Sequence, residues 1–253
     1  MEIPAASLNS ALMYSSFWAS KYSNVSRVIS DSDYMLEDSP PNFVHYLTVG
    51  FEAADFVTSM NMAKPNLRVL DYGSGFGRVT RALKAAFHDA KIYCFDVVPE
   101  GPNFCSKYLN TKTINTLMDL AESSIDLIWL GSVVTHLSKA DIEALFFQLD
   151  RVISEGGIII YSSHGDFVEK RMSMNPELYG MTKSSADQII TEYVNSGFGY
   201  ANYSNYENYG ISLITEKVHR SFFPANAYKN FQMLYRAWDN HHDVIFVQRK
   251  TVH

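Results

Sequence analysis

Positive charge and cysteine are both scarce in this chain. Its 253 residues include 21 Lys and Arg against 27 Asp and Glu, so the formal net charge at pH 7 is −6. A protein that binds duplex nucleic acid uses a positive surface to displace counterions from the phosphates, so this balance argues against a nucleic-acid partner. The two cysteines, Cys94 and Cys105, are too few for a disulfide framework or a metal finger. We therefore expect a reducing, cytoplasmic location.

Long hydrophobic runs and export signals are also missing. Apolar runs such as 158–161 and 244–247 have the length of a strand, whereas about 20 residues are needed to cross a bilayer. The apolar patch 11–19 has no Lys or Arg before it, unlike a signal peptide. We expect a soluble protein with no membrane partner. Because 47% of the residues are hydrophobic and 19% charged, the composition is typical of a globular domain with a sizeable core.

From Leu67 onward, short apolar runs alternate with helical patterns. This alternation predicts an α/β fold with a mostly parallel sheet covered on both faces. Near the C-terminus, two strand-like runs flank Asp239-Asn240 and predict an antiparallel hairpin that closes the sheet. The predicted strands are 68–71, 91–96, 113–117, 125–131, 158–162, 230–238 and 243–249.

The sequence predicts one domain with four segments. A helical pattern over 43–60 predicts a packed helical cap before the core. Within the core, Ser138 predicts the start of a helix that Gly156 and Gly157 end. A further helix over 185–195 is expected to stop at Gly197. The segments are the N-terminal cap 1–62, the core 63–164, an insertion 165–210, and a closing helix with the hairpin, 211–253.

The strongest chemical signal is the segment 69–78, VLDYGSGFGR, in which a strand delivers Asp71 and then G-x-G-x-G into a helix. The dinucleotide fingerprint is G-x-G-x-x-G, so the third glycine comes one residue early. An acid before the loop is a poor neighbour for a pyrophosphate and suits a cationic or amine-bearing ligand. Asp96 follows Gly75 by 21 residues, about the separation at which a carboxylate accepts hydrogen bonds from a ribose. These residues predict a ligand with a nucleoside and a positive charge.

The motif and its surroundings resemble the class I S-adenosylmethionine-dependent methyltransferases, whose first motif is an acidic residue followed by G-x-G-x-G. The resemblance covers residues from about 65 to 165 and the final hairpin. Asp96 stands in the ribose position and Asp126 in an I-D-L-I fourth strand. Residues 151–157 are similar to the L-K-P-G-G segment before the fifth strand.

A narrower resemblance links three short segments to bacterial small-molecule methyltransferases associated with sugar or polysaccharide modification. These segments are 131–137 (GSVVTHL), 209–212 (YGIS) and 242–244 (HDV). The chain has no N-P-P-Y type of motif after the fourth strand, so methylation of nucleic-acid bases is disfavoured.

The resemblance implies a Rossmann-like three-layer sandwich with a seven-stranded sheet, mostly parallel, whose last strand is antiparallel. It implies S-adenosyl-L-methionine as cofactor, S-adenosyl-L-homocysteine as product and a small-molecule acceptor. Asn115 and Thr116 are the nearest substitutes for the acid or amide that usually lies near the adenine. The implied cofactor-binding residues are Asp71, Tyr72, Gly73, Ser74, Gly75, Gly77, Asp96, Val97, Asn115, Thr116, Gly131 and Ser132.

Two histidines are candidate general bases for a hydroxyl acceptor. His136 and His164 follow the fourth and fifth predicted strands, at the carboxyl edge where open parallel sheets bind ligands. Each alternatively has a structural role, such as a helix cap or a bond to a carbonyl. A metal site at His241, His242 and Asp243 is not expected, because consecutive residues of a hairpin point in different directions.

The insertion carries tyrosines at 200, 203, 206 and 209. Their period of three fits either a loop that packs its rings on the sheet edge or a lid whose rings stack on a sugar. The function we expect is methyl transfer to a hydroxyl of a sugar or glycosylated metabolite. Two rivals remain: a catalytically silent S-adenosylmethionine-binding partner or sensor, and a nicotinamide-dependent oxidoreductase, which the glycine spacing disfavours.

Overall fold

The computed structural model describes residues 1–36, 40–60 and 65–251. The helices are α1 Ala5–Leu12, α2 Ser16–Tyr22, α3 Pro40–Ser59, α4 Thr80–Ala86, α5 Glu100–Leu109, α6 Lys139–Val152, α7 Asp166–Met174, α8 Lys183–Ser196 and α9 Glu216–Ser221. The strands are β1 Arg68–Tyr72, β2 Lys91–Phe95, β3 Lys112–Thr113, β4 Ile125–Leu130, β5 Ile153–Ser163, β6 Phe198–Asn202, β7 Gly210–Ile214, β8 Tyr228–Trp238 and β9 His242–Arg249.

A seven-stranded sheet has the order β3-β2-β1-β4-β5-β9-β8. Strand β1 runs parallel to β2 and β4, with Leu70 opposite Tyr93 on one side and Ile128 on the other. Strand β9 is antiparallel to both β5 and β8. All six residues of β4 are buried, as expected for a central strand covered on both faces. The predicted α/β fold, with its mostly parallel sheet and antiparallel last strand, is confirmed.

The chain divides into two compact units. The first comprises Met1–Ala121 and Ile125–Trp129, and the second Glu122–Ser124 and Leu130–His253. The expected boundary between cap and core, at residues 62 and 63, lies outside the described residues. Within residues 1–36, 40–60 and 65–251, no helix is both long and apolar enough to cross a membrane.

In the first unit, a buried arginine ties the N-terminal segment to the core. Arg81 of α4 is 1% exposed, and its Nη1 donates to the carbonyls of Ser26 (2.9 Å) and Val28 (2.7 Å). Its Nε donates to the Gly77 carbonyl at 3.0 Å, at the end of the glycine loop. Because a buried guanidinium must have its donors satisfied, these carbonyls fix the path of the segment before α3. Helix α3 confirms the helix expected over 43–60.

In the second unit, the insertion has a hydrophobic core of its own. Val168 and Met172 of α7, Ile189 of α8 and Leu213 of β7 are all fully buried in one cluster. Strands β6 and β7 pair antiparallel as a separate two-stranded sheet. Helix α8 ends at Gly197, whose φ of 83° forms the predicted left-handed cap. The predicted hairpin is also confirmed, with Asp239 and Asn240 at φ 53° and 50° between β8 and β9.

Two predicted boundaries are wrong. The helix that begins after Ser138 ends at Val152, and residues 153–157, expected to lie before the fifth strand, belong to β5. The Ile153 carbonyl accepts from Arg249 Nη1 at 3.0 Å and the Gly156 carbonyl accepts from Gln248, so β9 draws this stretch into the sheet.

The third strand, expected over 113–117, is only Lys112–Thr113. Thr116 instead caps a short 3₁₀ helix, Leu117–Asp119, in a capping box with Asp119. These local bonds compete with the strand and end it early.

Candidate functional site

A glycine loop joins β1 to α4 in the first unit. Gly73, Gly75 and Gly77 have φ values of 83°, 49° and 86°, in the left-handed region that side chains disfavour. The N–H groups of Gly73 and Ser74 donate to the Phe95 carbonyl at 2.8 and 2.9 Å. These bonds fold the loop back toward the end of β2.

The glycines of this loop have different surroundings. A Cβ on Gly75 would meet no atom within 4 Å, so the backbone there borders open space. A Cβ on Gly77 would lie 2.6 Å from Leu109 Cδ1 and 2.9 Å from Cys105 Sγ of α5. Gly77 therefore serves helix packing, whereas Gly75 leaves a surface that a ligand can approach closely.

Asp96 connects the end of β2 to this open position. Its Oδ2 accepts from the Gly75 N–H at 2.8 Å and its Oδ1 from the Val98 N–H at 3.0 Å. Each carboxylate oxygen has a second acceptor direction, so both can still receive a hydroxyl. Asp96 is half-buried, and the neighbouring Val97 is 86% exposed.

Asp71, the acid before the loop, lies inside the protein. It is 1% exposed, and Thr80 Oγ1 donates to its Oδ2 at 2.5 Å. Burial raises the pKa of Asp71 to about 7; the Thr80 hydrogen bond opposes this shift and the Asp96 charge adds to it. The Asp71 carboxylate thus holds the first turn of α4. Tyr72 stacks on Phe95 with ring centroids 4.5 Å apart.

Asn115 and Thr116 are held by an acid that the sequence interpretation did not single out. Asp119 Oδ2 accepts from the N–H groups of Asn115 and Thr116 at 2.7 and 3.1 Å. The T-x-x-D capping spacing was the available signal. Arg81 was missed as well, since the Ser26 and Val28 carbonyls that it binds lie more than 50 residues away in the sequence.

A cavity of about 550 Å³ lies in the same unit. Phe76 of the glycine loop, Ser30 of the N-terminal segment and Phe104 of α5 are among the residues that line it. Gly75 and Asp96 are not part of its lining. Phe76, which follows Gly75 directly, brings the cavity next to the glycine loop.

In the second unit, a strained turn follows β4. Ser132 has φ of 56°, and its N–H donates to Ser162 Oγ at 2.7 Å. Its hydroxyl lies 3.2 Å from Thr135 Oγ1. A non-glycine residue held in the left-handed region is often found where a site needs a fixed geometry. Gly131 and Ser132, both predicted site residues, form this turn.

His136 is held close to the second sheet of this unit. Its Nδ1 lies 2.8 Å from the Gly210 carbonyl and 3.3 Å from the Tyr203 hydroxyl. Its ring stacks on Tyr209 with centroids 4.8 Å apart at 29°. Burial lowers the pKa of His136, so the ring is neutral at pH 7, and the Gly210 carbonyl opposes this shift. Donation from Nδ1–H to this carbonyl leaves the Nε2 lone pair able to accept a proton.

Tyr203 and Tyr209 pack against this histidine, and Tyr206 packs against both tyrosines. Tyr203, Tyr206 and Tyr209 have ring centroids 5.3 to 6.5 Å apart, and Tyr206 is 61% exposed. The Tyr200 hydroxyl donates to Asn202 Oδ1 instead. The cluster of three tyrosines and His136 is named the aromatic cluster below.

His164, the second predicted base, is 4% exposed and follows β5 directly. Burial and the imidazoles of His242 and His241 hold the pKa of His164 well below its ordinary value. The possible metal ligands that lie together near the hairpin are a different set from His241, His242 and Asp243: His164 lies beside His241 and His242, with one nitrogen of each within 4.8 Å of the other two. Asp243, the other acid considered there, accepts from the Arg236 N–H at 2.8 Å.

Residues 70–161 match a family profile described as a methyltransferase domain. Among solved structures, the fold is similar to that of Burkholderia thailandensis 1,6-didemethyltoxoflavin N1-methyltransferase, crystallised with 1,6-didemethyltoxoflavin and S-adenosylhomocysteine. The TM-score is 0.54 at 14% identity, over 98% of this chain and 92% of that chain.

Two further structures are similar. For human N-acetylserotonin methyltransferase in complex with S-adenosylmethionine, the TM-score is 0.52 at 13% identity, over 82% of this chain and 55% of that one. For an O-methyltransferase family protein from Burkholderia thailandensis, the values are 0.50 at 12% identity, over 86% and 62%. At these identities the likeness concerns the fold.

Proposed function

We propose that this chain, whose residues 70–161 match a methyltransferase-domain profile, is a class I S-adenosylmethionine-dependent methyltransferase and transfers a methyl group from S-adenosylmethionine to a hydroxyl of a small molecule. The acceptor class we propose is a sugar or glycosylated metabolite. The reaction leaves S-adenosylhomocysteine as the product.

The observation that carries the proposal is the contact between Asp96 and Gly75. It fixes a carboxylate with free acceptor directions beside a backbone position that borders open space. A ribose diol needs two acceptors and a close backbone approach, and both are present here. The loop glycines, with Asp71 and Tyr72 behind them, would support the methionine end. From the family resemblance, we assign Val97, Asn115 and Thr116 to the nucleoside and Gly131 and Ser132 to the sulfonium.

When bound, S-adenosylmethionine supplies an activated methyl group, so the protein mainly has to align the acceptor. Alignment of this kind lowers a barrier by roughly 7 to 11 kcal/mol. A hydroxyl acceptor must also lose its proton. We assign this to His136 Nε2, because Nδ1 lies at the Gly210 carbonyl and fixes the ring. His164 is 4% exposed and less suited to meet an acceptor.

The aromatic cluster supports a ring-shaped acceptor. Tyr206 is 61% exposed, and Tyr209, which stacks on His136 with one face, is 44% exposed, so both rings keep surface that a ligand can contact. Aromatic faces bind sugars and other rings with little loss of side-chain entropy. Of the proteins with a similar fold, one is an N1-methyltransferase and another is an O-methyltransferase family protein. The acceptor atom must therefore be determined on the product.

The test is a calorimetric titration of ligand-free protein with S-adenosylmethionine, S-adenosylhomocysteine and NADH in parallel. We expect micromolar binding of the first two and none of NADH. Absence of all binding by folded protein would overturn the proposal.

A second step separates the enzyme from a silent binder. Transfer of labelled methyl groups is measured with a panel of sugars, glycosylated metabolites and amines. Methyl transfer to a sugar oxygen supports the proposal. Binding without transfer to any acceptor supports the alternative function, a partner or sensor that binds the cofactor.

A further inference from the structure

Three histidines from two distant stretches of the second unit lie together. His164 follows β5, while His241 and His242 lie at the turn between β8 and β9. The ring centroids of His164 are 4.8 Å from those of His242 and 5.2 Å from those of His241. One ligand nitrogen from each residue lies within 4.8 Å of the other two. These residues are named the histidine triplet.

The central ring of the triplet has no hydrogen bond of normal geometry. His164 is 4% exposed, and among the residues that the structure describes no group meets the distance and angle of a hydrogen bond to either ring nitrogen, although the Ser212 backbone carbonyl interacts with the ring. Buried imidazole nitrogens are normally satisfied by protein groups, water or an ion. A histidine kept here without such a bond points to a ligand that binds imidazole directly.

We propose that the histidine triplet binds a divalent transition-metal ion of the zinc type. Three neutral imidazoles are suitable ligands for Zn²⁺ and leave a fourth position of a tetrahedral site open. Zn–N bonds of about 2.0–2.1 Å place two ligand nitrogens about 3.4 Å apart. Binding therefore requires small ring rotations from the present arrangement. Calcium or magnesium, which prefer oxygen ligands, would not suit this set.

Two neighbouring cations, Arg171 and Arg236, oppose an ion at His241. Arg171 Nη1 lies 3.4 Å from His241 Nδ1 and packs over Phe167. An ion bound by His241 therefore binds through Nε2 or displaces the guanidinium. Removing this charge should strengthen binding, which gives the site a signature that adventitious surface histidines lack.

The proposal goes beyond the methyl-transfer function, and its test measures metal rather than turnover. Untagged protein is stripped with a chelator and titrated with Zn²⁺ against a chromophoric competitor, and with Co²⁺ for its absorption bands. We expect one Zn²⁺ per chain and Co²⁺ bands of tetrahedral type. His88→Asn is the matched control, because the His88 side chain is 95% exposed and lies in the other unit.

The variants decide the assignment. His164→Phe keeps a planar ring without nitrogens, and His241→Asn changes a half-buried turn residue. Each of these two variants should weaken Zn²⁺ binding at least tenfold, whereas His88→Asn should leave it unchanged. Arg171→Gln should bind Zn²⁺ several-fold more tightly than the wild type. If His164→Phe fails to fold, His241→Asn decides. The proposal would be overturned if folded wild-type protein bound no Zn²⁺ at micromolar concentration. An unchanged Zn²⁺ affinity in either folded histidine variant, or in Arg171→Gln, would also overturn it.

Discussion

The carboxylate of Asp96 accepts a hydrogen bond from the N–H of Gly75 at 2.8 Å, across 21 residues of sequence. This bond places the acid at the end of β2 against Gly75, whose Cβ direction meets no atom within 4 Å. A single contact therefore relates the two sequence features on which the proposed cofactor site depends.

Asp96→Ala should lower the affinity for S-adenosylmethionine at least tenfold, about 1.4 kcal/mol, because both ribose acceptors are lost. Asp89→Ala is the matched control, since the Asp89 side chain is 88% exposed. Calorimetry on both variants checks the prediction. Equal affinities in the two variants would remove Asp96 from the site.

Gly75→Ala should mainly lower cofactor affinity, whereas Gly77→Ala should mainly lower stability. Gly75→Ala meets no atom, so it should cost only about 1 kcal/mol of backbone strain while its methyl group blocks ligand approach and lowers affinity. Gly77→Ala places a Cβ 2.6 Å from Leu109 Cδ1 and should mainly lower the free energy of unfolding. Denaturant unfolding and cofactor titration of both variants measure the two effects. The reverse pattern would contradict the assignment of the loop.

Asp71→Asn should change how stability depends on pH. The folded-state pKa of Asp71 is about 7, above its unfolded value of about 3.9, so the folded state holds the proton more tightly between these values. The wild type therefore loses stability from this group as pH rises from about 4 to 7, by at most about 1.4 kcal/mol per pH unit. Asp71→Asn removes this loss.

The difference in unfolding free energy, variant minus wild type, should therefore increase with pH across this window. Asp89→Asn, at the exposed Asp89, should show no such trend. Parallel unfolding curves for Asp71→Asn and the wild type at every pH would mean that Asp71 is ionised throughout.

Signals confined to a few neighbouring residues were sufficient for much of the fold. Ser138 accepts from the Asp141 N–H and starts α6 as predicted, and Gly197 ends α8. By contrast, the start of β5 depends on Arg249, which lies 96 residues from Ile153. A helix stop at Gly156 was a reasonable local interpretation, but the contact that overrides it is distant in the chain.

In the candidate site, too, local signals were predictable from the sequence and distant contacts were not. The spacing of Gly75 and Asp96 is visible in the sequence, and their contact is found in the structure. The histidine triplet was not predicted, because His164 reaches the hairpin only through the pairing of β5 with β9, with Ser163 opposite Asp243. Convergence of this kind depends on sheet register, which periodicity alone does not specify.

His136→Gln should lower the rate of methyl transfer about 10²- to 10⁴-fold once an acceptor is known, and leave cofactor affinity unchanged. Burial lowers the pKa of His136, so wild-type kcat should be at its plateau near pH 7 and fall only below the ordinary histidine value of 6.5. The measurement is kcat against pH for the wild type, His136→Gln and the control His88→Gln. Retention of the acidic limb in His136→Gln would assign the base elsewhere.

His219→Gln should shift stability with pH in the direction opposite to Asp71→Asn. His219 is fully buried beside the Tyr161 hydroxyl, 2.9 Å from its Nδ1, and burial lowers its pKa to about 3. The unfolded chain binds this proton near pH 6.5, so the stability present above that value is lost as pH falls toward 3. Gln does not titrate, so it removes this loss, and the stability of His219→Gln relative to the wild type should rise as pH falls. The stability of Asp71→Asn relative to the wild type should instead rise as pH increases. Thermal unfolding of both variants from pH 4 to 7 tests the pair, and slopes of the same sign would contradict at least one of the two burial arguments.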